Sequence, residues 1–108
     1  MLITTQDEFS DYEIGETLGL VKGNTIRARH VGKDILAALR NVVGGEITEY
    51  TKMLAESREQ TLDRMISEAD RKKADGIVCL RFTTSSVMAG SAELLAYGTA
   101  ERLRKKQY

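Results

Sequence analysis

The segment TEYTKMLAESREQTLDRMISEADRKK, residues 48–73, decides the fold because its apolar side chains recur at helical spacing. One face of the predicted helix carries Ile47, Tyr50, Met53, Leu54, Leu62, Met65, Ile66 and Ala69. Charged residues fall on the other faces, where Lys52 and Glu56 form an opposite-charge pair one turn apart. At about 1.5 Å per residue this helix is about 40 Å long. Part of its apolar face is therefore expected to meet a partner beyond its own sheet.

A second, shorter helix is predicted over residues 33–43, upstream of a glycine pair. Its apolar positions at helical spacing are Ile35, Leu36, Leu39, Val42 and Val43. Gly44 suits the left-handed position that follows many helices, so the two helices are expected to meet at a corner.

Strands are predicted before the helices. Residues 2–5 predict a short strand and residues 12–22 a longer one, which Gly23 and Asn24 are expected to end in a turn. The two glycines inside the longer strand are typical of bulges or of close backbone approach.

The C-terminal part predicts a β-hairpin, with strands over residues 77–88 and 93–103 joined at residues 89–91. Alternation along the first strand places Val78, Leu80 and Phe82 on the face toward the helices. The opposite face then carries Ile77, Cys79, Arg81, Thr83 and Ser85. A mixed face of this kind favours a subunit interface over open water.

This order of elements predicts one α+β domain spanning residues 1–108, with a mainly antiparallel sheet packed with two helices, one short and one long. The unmatched part of the long helix and the mixed face of the hairpin together favour homo-oligomerisation.

Composition narrows the classes of function. Sixteen basic residues balance sixteen acidic ones, so the neutral chain has no long-range field to attract nucleic acid or an anionic membrane. No apolar run approaches the roughly 20 residues of a membrane span, and the acidic start does not resemble a signal peptide. With Cys79 as its single cysteine the chain has no internal disulfide, and a cytoplasmic location is expected.

Three motifs together resemble the YbjQ-like family of small prokaryotic proteins. They are RNVVGGE at residues 40–46 followed by Tyr50, ADGIV at residues 74–78, and AYGTA at residues 96–100. The resemblance covers nearly the whole chain. It implies a dodecin-like subunit in a ring-shaped homopentamer, a cytoplasmic protein of uncharacterised function, and a family label of heavy-metal binding.

Cys79 and His30 are the candidate metal ligands. A thiolate favours soft metals, and a ring of subunits could bring several copies of Cys79 together. Alternatively, Cys79 is a small apolar residue on a buried strand, which is the common role of a free cysteine. His30 is either a second ligand, part of a basic anion site, or a polar turn residue.

The corner between the helices is the candidate ligand-binding or interface site, formed by Arg40, Gly44, Gly45, Glu46 and Tyr50. An arginine can bind a carboxylate or phosphate through two hydrogen bonds, with a tyrosine donating a third. Arginine and tyrosine are also enriched at protein interfaces, which favours a role in locking subunits together.

The residue patterns predict a non-enzymatic homo-oligomer that binds a soft metal ion or a small ligand at its subunit interfaces, and the family resemblance implies that the oligomer is a pentamer. No catalytic motif is visible in the sequence. Two alternatives stay open, a purely structural or scaffolding oligomer without a ligand and an enzyme whose site is assembled between subunits.

Overall fold

The computed structural model describes residues 1–27, 48–88 and 91–108. They form strands β1 (Leu2–Ile3) and β2 (Tyr12–Arg27), helix α1 (Thr48–Arg71), and strands β3 (Gly76–Met88) and β4 (Ser91–Lys105). The strands make one mixed sheet in the order β1-β3-β4-β2, in which β1 runs parallel to β3 and the other pairs are antiparallel. The α+β class and the C-terminal hairpin are confirmed. The predicted short helix lies outside the described residues.

Helix α1 packs on β2 and β4, and the C-terminal part of its predicted apolar face lies in or against the core. The fully buried core consists of Val21, Met65, Ala69, Ile77, Ala96 and Ala100. Leu62 and Ile66 pack against this core from α1 and are partly buried. Leu54, nearer the start of the helix, is 38% exposed. The C-terminal half of α1 therefore stabilises the subunit, while the exposed Leu54 is available to a partner.

Two polar residues extend the buried side of α1 toward its N-terminus. Ser57 and Thr61 are both buried and precede Met65 and Ala69 at regular spacings of one helical turn. The Thr61 hydroxyl lies 2.9 Å from the Thr25 hydroxyl of β2, so this buried pair is mutually hydrogen-bonded. A buried hydroxyl without such a partner would cost about 1–3 kcal/mol, and the pair therefore fixes the position of α1 along β2.

Gly23 lies inside β2, and the predicted turn at Gly23 and Asn24 is wrong. A Cβ atom at position 23 would collide with the Thr61 carbonyl oxygen and the Met65 main-chain nitrogen, and would lie 2.9 Å from Arg64 Cβ. Glycine is required here because the helix backbone rests directly on the strand. The same feature that indicates a turn in sequence instead marks a close approach, and β2 continues to Arg27.

The glycine-associated irregularities predicted in the first half of β2 are confirmed. The pairing of β2 with β4 shifts between Ile14 and Glu16, around Gly15, and again between Thr17 and Gly19. Gly19 has a φ of 104°, a conformation that side chains disfavour. Beyond Gly19 the register is regular, so residues 20, 22, 24 and 26 share one face of the sheet.

A bulge in β3 reverses the predicted faces at its start. The pairing with β4 shifts between Val78 and Arg81, and Cys79 adopts a φ of 58° within the shift. Ile77 pairs with Ala100 and is fully buried on the helix side, so its predicted place beside Arg81 is wrong. Val78 lies on the opposite face, also contrary to prediction. From Arg81 onward the predicted alternation is correct. The bulge adds one extra residue to β3, and this returns the following side chains to their predicted faces.

Replacing Gly23 with alanine is expected to destabilise the fold by about 1–3 kcal/mol or more, because the methyl group has no space beneath α1. Chemical denaturation followed by circular dichroism measures this change. Gly15→Ala is the matched control, since the nearest atom to its Cβ would be the Arg102 carbonyl oxygen at 3.4 Å. Equal stability of the two variants would contradict the close approach.

Candidate functional site

The outer face of the sheet, turned away from α1, carries exposed charged, aromatic and aliphatic side chains. We define it by Leu20, Lys22, Ile26, Arg81 and Tyr97, which the strand registers place on one side. Tyr97 on β4 pairs with Lys22 on one flank and Arg81 on the other. In the strand register Tyr97 thus lies between a lysine and an arginine.

Aliphatic side chains on β2 flank this polar row and are unusually exposed. Leu20 is 58% exposed and Ile26 is 59% exposed, although both lie within a long regular strand. The two residues lie six positions apart, about 20 Å along the strand, with Lys22 and Asn24 between them on the same face. The outer face therefore carries two separate exposed aliphatic side chains together with a lysine, an arginine and a tyrosine.

Cys79 lies in the β3 bulge at one side of the sheet and is half-buried. Its main-chain N–H donates to the Gln6 carbonyl at 2.9 Å, and the Leu80 N–H donates to the Thr4 carbonyl at 3.1 Å. Within the bulge, two successive N–H groups therefore bind the segment after β1. A non-glycine residue with positive φ costs about 1–3 kcal/mol, and these bonds help to hold it.

Arg81 also binds the segment after β1. Its Nη1 atom donates to the Thr5 carbonyl and to the Leu80 carbonyl, each at 2.8 Å. The guanidinium group thus ties the N-terminal segment to the bulge and has a structural role.

The other predicted site residues lie wholly or partly outside the described structure, which therefore does not test their position relative to Cys79. His30, Arg40, Gly44, Gly45 and Glu46 lie outside the described residues. Tyr50 is in the first turn of α1, with its side chain also outside them. Among residues 1–27, 48–88 and 91–108, no group of three or more histidine, cysteine or acidic side chains is arranged to hold a metal ion.

A polar groove of about 350 Å³ lies beside the edge of β2 that pairs with no strand of the described sheet. It is lined by Lys22, Asn24, Glu68, Glu93 and Leu95. The Asn24 side-chain amide donates to the Glu93 carboxylate at 3.1 Å, so part of its polar lining is already paired. Pockets for small organic ligands are mostly apolar, and this lining fits that class of ligand poorly.

Glu101 is a buried acidic residue that the sequence did not indicate as a site candidate. It lies on β4 between Thr17 of β2 and Gly76 of β3, is only 4% exposed, and its Oε2 atom has no hydrogen-bond partner in the described structure. Burial raises the pKa of this carboxyl above its ordinary value of 4.5. An alternating strand pattern gives no signal of this burial, because Tyr97 has the same parity on β4 and the same neighbouring strands and is nevertheless exposed.

Stability is expected to fall as pH rises through the titration of Glu101. Its raised pKa means that the folded state keeps a proton that the unfolded chain releases near pH 4.5, so folding is favoured at lower pH. Glu101→Gln removes this titration and is expected to flatten the pH dependence of the unfolding midpoint between pH 4 and pH 8. Thermal unfolding across that range measures it, with exposed Glu8→Gln as the control. An unchanged slope in Glu101→Gln would contradict the assignment.

No helix within the described residues has the length and apolar character needed to span a membrane.

The fold defines a small α+β protein with a four-stranded mixed sheet and one described helix. The same fold occurs in a crystal structure of a protein of unknown function from Pediococcus pentosaceus. That chain superposes with a TM-score of 0.64 at 18% identity, covering 96% of this chain and 98% of the other. At that identity the likeness establishes the fold alone.

Sequence comparison identifies the family. The YbjQ family model, described as "Putative heavy-metal-binding", matches residues 1–104. A UPF0145 protein of Methanococcus vannielii is 61% identical over 97% of this chain and all of its own length. One from Archaeoglobus fulgidus is also 61% identical, over 96% of each chain. The chain therefore belongs to the YbjQ family, and the predicted resemblance is confirmed.

Proposed function

We propose that this chain is the subunit of a homopentameric ring that binds a soft metal ion at its subunit interfaces. The observation that carries the proposal is the exposure of Leu20 and Ile26 on the outer face, at 58% and 59%. Complete burial of an exposed aliphatic side chain supplies about 1.5–3 kcal/mol, and covering the part of Leu20 and Ile26 that is still exposed supplies roughly half of that each, which favours a second copy on this face.

Charge supports a head-to-tail arrangement of copies. The outer face presents Lys22 and Arg81, whereas α1 exposes Glu56, Glu59 and Asp63 to solvent. A helix of one copy on the outer face of the next would place opposite charges together. Such a contact joins two different surfaces of the same chain, and it closes into a ring when the rotation between copies allows. The neutral net charge adds no general repulsion between copies.

The corner residues belong to the same proposal. Arg40, Gly44, Gly45, Glu46 and Tyr50 would lock neighbouring subunits, because the helix that starts beside them carries the exposed Leu54. We place the assembly in the cytoplasm, where reducing conditions keep Cys79 available as a thiol.

The metal part of the proposal rests on the chemistry of Cys79. Its half-buried position in a bulge is compatible with ligand binding, and thiolates select soft metals. One thiolate is too few for a tight site. The remaining ligands would come from other copies of Cys79, or from His30, so the complete site requires assembly.

Assembly is expected to weaken when Leu20 and Ile26 are both replaced by acidic residues. Leu20→Asp with Ile26→Asp should weaken association by about tenfold to a hundredfold, because two buried aliphatic contacts are lost. Light scattering coupled to size-exclusion chromatography measures the species present. Phe82→Asp, an exposed apolar residue on the opposite face, is the control. Unchanged assembly in the double variant would contradict the outer face as an interface.

Metal binding is expected to depend on Cys79. Cys79→Ser should reduce cadmium or zinc bound per assembled ring to background, because a hydroxyl is a poor ligand for soft metals. Elemental analysis after dialysis against a metal buffer measures the stoichiometry, with Cys79→Ala and the wild-type chain compared at equal assembly. Equal metal content in all three would contradict the thiolate site and leave a scaffold without a metal.

A further inference from the structure

The free edge of β2 is a long row of main-chain groups that belongs to no strand pair in the described sheet. β2 lies at the end of the strand order and spans Tyr12–Arg27. Along a strand, main-chain groups point alternately toward its two neighbours in the sheet. The N–H and C=O groups of residues 20, 22, 24 and 26 therefore point away from β4, into the unpaired edge. Exposed edges of this length are templates for pairing with another chain.

Two side chains of α1 bind the centre of this edge. Arg64 Nη1 donates to the Asn24 carbonyl at 2.5 Å, and the Lys22 N–H donates to Glu68 Oε2 at 3.4 Å. We call these two contacts the edge clamp. The clamp is positioned by the close approach of α1 to Gly23, which lies between the two residues that it binds.

The edge beneath the clamp is complementary to itself. In an antiparallel pair of two β2 strands centred on Gly23, Leu20 would face Ile26 of the second copy and Lys22 would face Asn24. Both apolar pairs would form on the outer face, and no like charges would be opposed. An isologous contact of this kind uses the same surface in both copies.

We propose that the edge clamp prevents the β2 strands of two copies of this chain from pairing with each other along this edge. Strand pairing requires the Lys22 N–H and the Asn24 carbonyl, and Arg64 and Glu68 already occupy both. The clamp thereby separates two modes of association. Copies can meet on the outer face while edge-to-edge pairing, which leads toward aggregation, is blocked.

Disulfide trapping tests the inference directly. The excluded pairing places Lys22 opposite Asn24 with Cα atoms about 5.5 Å apart, within the disulfide range. In a Cys79→Ser background, Lys22→Cys with Asn24→Cys provides the reporter. The clamp contacts the main chain at both positions, so the reporter leaves it intact.

Arg64→Ala with Glu68→Ala opens the clamp without changing net charge or weakening the helix, since alanine is the best helix former. Disulfide-linked dimer is expected to increase roughly tenfold or more over the clamp-intact reporter, the change that corresponds to about one lost charge-assisted hydrogen bond. Arg64→Ala alone should give an intermediate increase. Arg58→Ala with Glu59→Ala, both exposed on the same helix, is the matched control and should give none.

Circular dichroism confirms that each variant keeps its fold before trapping. No increase in the clamp variant relative to the Arg58 and Glu59 control would overturn the proposal. Equal cross-linking of a reporter with Lys22→Cys alone would also overturn it, because residue 22 does not face itself in the predicted register. Both results are independent of the proposed outer-face interface. That interface does not require the clamp to open, and it is tested by measuring the size of the assembly.

Discussion

The contact between the α1 backbone and Gly23 is the constraint on which the rest of the described structure depends. It brings the helix onto β2 closely enough for Thr61 to bond Thr25 and for Met65 to fill the core beside Val21. The same approach brings Arg64 and Glu68 over the strand edge. A single missing Cβ atom therefore links core packing to the control of an exposed edge.

The bulge at Cys79 is the second organising feature. It lets β3 bury Ile77 on the helix side and still present Arg81 to the outer face, four residues later. It also releases main-chain N–H groups to the N-terminal segment, which Arg81 secures further. Cys79 is thus held in a strained backbone at a junction of three segments. The candidate ligand for a soft metal therefore lies in the same bulge that joins β3 to the N-terminal segment.

Within the YbjQ family the heavy-metal label requires ligands, and the described part of this subunit supplies no cluster of them. The subunit does supply an outer face with exposed aliphatic residues and a clamped edge. These features favour function at the level of an assembly. Self-association would complete any metal site, and the clamp would restrict association to surfaces that leave the strand edge free.

The sequence by itself determined the class of the fold, the long helix and the C-terminal hairpin, because helical and strand periodicities are local properties of the chain. It also predicted the irregularities of β2 from its glycines. Only the tertiary structure decided that Gly23 lies under a helix, that Ile77 and Val78 exchange faces, and that Glu101 is buried. Those facts depend on contacts between segments that are distant in sequence. In addition, side chains alternate between the two faces of a strand, so one extra residue in a bulge moves the neighbouring side chains to the opposite face.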